Sequence, residues 1–132
     1  MARILIIDDN KQLRILLSET LKQYKHETET ASDGIEGLDK AKEDAFDLII
    51  TDLMMPNMDG IEFIRTLRTT NADVGIIAVS GGDTPAVTPA LETARMMGAN
   101  ASLAKPFKRR QLIEIVNSVL AQARTKNQSP NT

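Results

Sequence analysis

The chain has no cysteine and no tryptophan, and its aromatic residues amount to one tyrosine and three phenylalanines. Without cysteine there is no disulfide framework, no thiolate metal site and no cysteine nucleophile, which fits a reducing compartment. Histidine occurs once, as His26. No second candidate metal ligand is patterned around it, so it reads as structural rather than as a ligand or a phosphorylation site. Long apolar runs are missing too. The opening "MARILIIDDN" is too short for a signal peptide or a membrane span, so a cytoplasmic location and no membrane association are expected. Neither sign of charge dominates: a net charge of -2 offers no general attraction to nucleic acid or anionic lipid. A glycine-rich Walker loop is also absent, and with it any support for nucleotide hydrolysis.

What is present is an ordinary globular composition, 42% apolar and 26% charged over 132 residues, which suits one domain with a self-sufficient core. Short apolar runs alternate with segments of helical period. Strands are expected at 3–7, 26–30, 48–51, 75–79 and 101–104. The second, "HETET", carries no aliphatic side chain. Helical stripes fill the gaps. Leu13, Leu16, Leu17, Leu21 and Tyr24 follow Asn10 as cap, and Ile35, Leu38 and Ala41 follow Ser32. Ile61, Ile64 and Leu67 follow Asp59-Gly60, while Leu91, Ala94 and Met97 are stopped by Gly98. Leu112, Ile115, Val116, Val119 and Leu120 form the last stripe. Five strands alternating with five helices predict βαβ units, hence an α/β protein with a mostly parallel sheet covered on both faces. The domain is placed at residues 1–122, and 123–132 is expected to be a polar tail with no output domain.

Four of the five strands end on residues capable of chemistry: Asp8-Asp9, Asp52, Ser80 and Lys105. Ligands of open parallel sheets bind beyond the carboxyl ends of the strands, so these groups should share one rim. Each has an ordinary explanation alone, since an Asp after a strand often caps the next helix. The set together does not. Carboxylates brought to ~4 Å repel by about 4 kcal/mol per pair at an effective dielectric near 20. A retained proton or a bound cation must relieve that. An all-oxygen cluster favours a hard divalent ion, and Mg2+ is the commonest that keeps waters and accepts phosphate oxygens. A metal, a carboxylate, an ammonium and a hydroxyl around one place are the equipment of phosphoryl transfer, and a carboxylate can itself be the nucleophile.

In this order and spacing, Asp8-Asp9, Asp52 in "TDLMMPNMDG", Ser80 in "AVSG", the "GAN" turn and Lys105 in "LAKPF" resemble the receiver domain of two-component response regulators. The resemblance implies a flavodoxin-like (βα)5 doubly wound sheet of strand order 2-1-3-4-5. It implies that Asp52 is the phosphoacceptor and that Asp9, Asp52 and the backbone carbonyl of Met54 hold Mg2+, with Asp8 helping directly or through water. Lys105 would pair with the phosphoryl group and Ser80 would turn its hydroxyl onto it. The phosphate donor would be a phosphohistidine on a sensor histidine kinase or a histidine phosphotransfer protein. The chain would then be a stand-alone receiver, monomer or weak dimer, acting by docking to a downstream protein target or by onward relay, and not an enzyme.

Two features depart from the family pattern. An aromatic residue commonly lies three positions before the lysine, and here that position is Ser102. The segment from Ser80 to Lys105 is also longer than usual, with the extra length assigned to "GGDTPAVTP" at 81–89. There Thr88-Pro89 reads as N-cap and first residue of the fourth helix. The loop is either a moving part or a tolerated surface insertion. The "KRR" at 108–110 is mildly unfavourable at a helix N-terminus, by about 0.3–1 kcal/mol per cation, and reads as a solvated turn or a docking face for an acidic partner. Met54 is a candidate to overhang the site.

Two other functions share parts of this equipment. A haloacid-dehalogenase-like Mg-dependent phosphatase also uses a strand-end Asp, but needs a second acid two residues on, where this chain has Met54. A flavin carrier would need a hydroxyl- and glycine-rich loop after the first strand and flanking aromatics, which "DDNKQ" does not supply.

Overall fold

Unbroken runs of isoleucine, leucine and valine have no polar face to turn to water, and they make the middle of the sheet. The strands are β1 (Arg3–Ile7), β2 (Glu27–Ala31), β3 (Leu48–Asp52), β4 (Gly75–Ser80) and β5 (Ala101–Ala104). The helices are α1 (Lys11–Gln23), α2 (Gly34–Glu43), α3 (Gly60–Arg68), α4 (Val87–Met97) and α5 (Arg109–Asn127). The computed structural model describes residues 2–55, 57–81 and 87–127, with side chains described for all of these except 87, 88 and 123–127. All strand pairings are parallel, in the order β2-β1-β3-β4-β5 expected from the sequence.

The sheet divides the core in two. Leu5, Ile7, Ile49 and Ala78 point to the face covered by α2, α3 and α4, where Phe63, Ile64 and Ala94 meet them. Ile4, Ile6, Ile50, Ile77 and Val79 point to the other face, covered by Leu17 and Leu21 of α1 and Leu112, Val116 and Val119 of α5. Each fully buried aliphatic side chain contributes about 1.5–3 kcal/mol, so these two layers hold the strand ends rigidly in place.

Several boundaries differ from expectation for identifiable reasons. β2 runs one residue later than 26–30, because Lys25 takes a positive φ of 72° and His26 completes that turn. As the edge strand it needs no aliphatic run, and only its last residue, Ala31, is buried. α2 is capped by Asp33, not Ser32: Asp33 accepts from the Glu36 N–H at 2.8 Å, while Ser32 donates its N–H and hydroxyl back to Glu36. α4 begins at Val87, so Thr88 lies inside the helix rather than capping it. Pro89 is tolerated there because a first-turn N–H has no helical partner to lose. Of the 81–89 segment, residues 82–86 lie outside the described residues. α5 continues to Asn127, past the boundary drawn at 122.

Candidate functional site

The carboxyl rim is built by strand ends that converge. Asp8 follows β1 directly and is held at every backbone-side group. Its N–H donates to the Ala31 carbonyl at 3.2 Å, its carbonyl accepts from Arg14 Nη1 at 2.7 Å, and its Oδ1 accepts from the Asn10 N–H at 2.9 Å. Asn10 in turn caps α1 through Leu13. Asp52 is the last residue of β3 and only 6% exposed, while Ser80 ends β4 at 1%. Asp9 is exposed. One carboxylate oxygen from each of Asp8, Asp9 and Asp52 lies within 4.8 Å of the others. Lys105 follows β5 and spans two of them, donating from Nζ to Asp8 Oδ2 at 3.1 Å and to Asp52 Oδ2 at 3.4 Å.

Three carboxylates therefore face one ammonium. Burial, and then the Asp8 charge, push the Asp52 carboxyl above its usual range, against the opposing pull of Lys105 and the Met54 N–H. Burial works against the Lys105 ammonium, but Asp52 and Asp8 together overcome it and hold its pKa above the ordinary value, so it stays charged. The rim is left short of positive charge. A divalent ion with ligands at about 2.1 Å needs oxygens within roughly 4.2 Å of one another. The three groups fit such an ion in donor chemistry and nearly in spacing.

The loop after β3 is shaped around Asp52. Met54 donates its N–H to Asp52 Oδ1 at 3.3 Å and is itself 69% exposed. Gly60 donates its N–H to the Leu53 carbonyl at 3.0 Å, and a Cβ on it would lie 2.3 Å from the Asp52 carbonyl oxygen. Only glycine lets α3 start that close beneath Asp52. Asn57, at φ 71°, donates from Nδ2 to Asp33 Oδ2 at 2.9 Å, tying the loop to the start of α2. Of these supporting residues, the sequence points to Met54 alone as a site residue. From sequence Asp59-Gly60 marks only a helix start, and Arg14 lies beside the α1 stripe with no signal of its own.

The remaining expectations also find their places. His26 Nδ1 accepts from the Ala2 N–H at 3.1 Å, and burial lowers its pKa. Within "KRR", Arg109 is not simply solvated: it reaches Gln23 Oε1 and lies 5.5 Å over the Tyr24 ring, joining α5 to the end of α1. Ser102 lies half-buried on β5 opposite Ala78. The Lys105-Pro106 peptide is cis.

A family model for the response regulator receiver domain matches residues 4–117. The chain belongs to that family. Response regulator MprA of Mycobacterium avium is 33% identical over 125 residues, covering 95% of this chain and 54% of the relative. The CpxR homolog of Haemophilus influenzae, a transcriptional regulatory protein, is 35% identical over 124 residues, covering 93% and 52%. The chain thus spans about half the length of these curated relatives. Among solved structures, Vibrio cholerae chemotaxis protein CheY4 superposes with a TM-score of 0.81 at 34% identity, covering 90% of this chain and 98% of that one. NtrX of Brucella abortus superposes at 0.92 with 25% identity, covering 98% of this chain and 29% of that one. The receiver fold and membership in two-component signalling follow. The phosphatase alternative is not favoured. Among the described residues, no helix of this receiver is long and apolar enough to cross a membrane.

Proposed function

We propose that Asp52 accepts a phosphoryl group from a phosphohistidine on a sensor histidine kinase or a histidine phosphotransfer protein. The observation that carries this is the gathering of Asp8, Asp9 and Asp52 oxygens within 4.8 Å, with Lys105 bound to two of the three carboxylates. An Asp52 oxygen forms the new O–P bond as the N–P bond of the donor breaks, and the imidazole leaves with that electron pair. Asp9, Asp52, the Met54 carbonyl and Asp8, directly or through water, would hold Mg2+. The ion supplies positive charge that offsets the carboxylates and the phosphoryl oxygens. Lys105 offers N–H donors beside the acceptor oxygen, and the Ser80 hydroxyl donates to the phosphoryl group from the adjoining strand.

The product carries about -1.5 to -2 charge where the rim already lacks cations, so Lys105 and Ser80 are drawn toward it. Ser80 ends the strand that leads to α4, which gives the charge a route to the surface. The output is docking to a downstream protein or relay to a second histidine, from a cytoplasmic chain that is monomeric or weakly dimeric. The test is incubation with acetyl phosphate and Mg2+ followed by intact mass. One added phosphoryl group is expected, labile to base, absent with EDTA and absent in Asp52→Asn. Continuous phosphate release from varied monoesters with no captured adduct would favour the phosphatase.

A further inference from the structure

Gly81, the residue directly after Ser80, is not glycine for backbone reasons. Of the described glycines, Gly98 is the one with a positive φ, so Gly81 lies outside the left-handed region that favours glycine. What it lacks is room. A Cβ on Gly81 would lie 2.9 Å from Lys105 Cδ, 3.1 Å from its Cβ and 3.4 Å from its Cγ. The lysine cannot back away at its root, because its N–H donates to the Ser80 carbonyl at 2.7 Å and pins the two strand ends together. Its stem therefore lies along the bare backbone of Gly81, and from there Nζ reaches Asp8 and Asp52. Lysine is a flexible chain with a point charge at its tip, so fixing the stem is what aims the charge.

We propose that Gly81 is a positioning residue for phosphoryl capture: its absent side chain is the trough that directs the Lys105 ammonium onto the acceptor carboxylate. This rests on the roles given above to Asp52 and Lys105. The stem contact and the pinned strand ends carry it, independent of any bound ion.

The test places Gly81→Ala and Gly81→Val in the full chain, with and without Lys105→Ala, and measures capture from acetyl phosphate with Mg2+. With Lys105 present, capture is expected to slow about threefold for Gly81→Ala and tenfold or more for Gly81→Val, the scale of a misplaced catalytic group. With Lys105→Ala, only the Cβ contact at 3.1 Å remains and no ammonium is left to aim, so the same changes should matter clearly less than with Lys105 present. Equal losses in both backgrounds would overturn the proposal. A crystal structure of Gly81→Val should show Nζ drawn away from Asp52; both hydrogen bonds retained would overturn it as well. Should the valine variant not fold, Gly81→Ala carries both measurements. If the unaltered chain captures no phosphoryl group, the functional reading fails, while the crystallographic arm still decides whether Gly81 aims Lys105.

Discussion

At the amino end of the sheet Arg3 meets carboxylates of Glu29 at 2.6 Å, Asp44 at 3.2 Å and Glu27 at 3.6 Å, and lies 5.2 Å over the Phe46 ring. At the carboxyl end Lys105 meets Asp8 and Asp52, with Asp9 beside them. Each end sets one cation against several acids, yet the consequences differ. Around Arg3 the groups are partly exposed, so water carries the excess negative charge. At the other end Asp8 and Asp52 are buried, and the excess has nowhere to go. Exposed charge clusters of this kind staple a surface; a buried imbalance is a capacity to bind something.

That contrast can be broken or sharpened by substitution. The largest effect is expected for Asp52→Asn, which should abolish phosphoryl capture by intact mass while raising the Tm of the metal-free protein. The Tm should rise because a charge that burial and Asp8 disfavour is removed. Lys105→Ala should slow capture at least tenfold and lower the metal-free Tm. Breaking a fully buried pair costs about 3–5 kcal/mol; with Lys105 itself a quarter exposed, about 2 kcal/mol is expected from chemical denaturation. Asp33→Ala removes the α2 cap and the Asn57 tie together, for a loss of about 1–2 kcal/mol. Arg3→Ala should give the smallest fall in Tm of the set and leave phosphoryl capture unchanged.

The same comparison extends to pH. Asp52 has a folded pKa above its unfolded value, so its ionised form costs stability at neutral pH, and that cost is relieved as pH falls through the raised value. The Tm gap between Asp52→Asn and the unaltered protein, without metal, should therefore narrow from pH 7 toward pH 4. Asp33 and Glu36 act in the opposite sense. The Glu36 N–H holds the Asp33 carboxyl below its usual range, and Ser32 does the same for Glu36. Their contributions are present above the ordinary carboxylate values and are lost as pH falls through the lowered ones. A gap that stays constant with pH would show that Asp52 is not the strained group.

The site was legible because its chemistry falls at strand ends, and strand ends are marked by where apolar runs stop. β1 and β5 lie within the bounds their sequences suggest, and Asp8, Asp52 and Lys105 are joined as their positions imply. The roles proposed for these residues come from the resemblance to receivers, which alternation alone could not suggest. What escaped notice acts through shape or through backbone groups. Gly60 and Gly81 matter for the atoms a side chain would strike, and Arg14 for a carbonyl it reaches six residues back. β2 was displaced by one residue because an edge strand can dispense with the hydrophobic signal that locates the others.

The sheet is also a partition wall. Ile6 and Ile7 are neighbours in sequence, yet one packs beneath α1 and α5 and the other beneath α2, α3 and α4. Trimming a methyl group from each should therefore sum almost independently, whereas two trims within one layer should interfere. A protein of this size thus has two interiors, and amide exchange can quicken in one layer while the other stays shut.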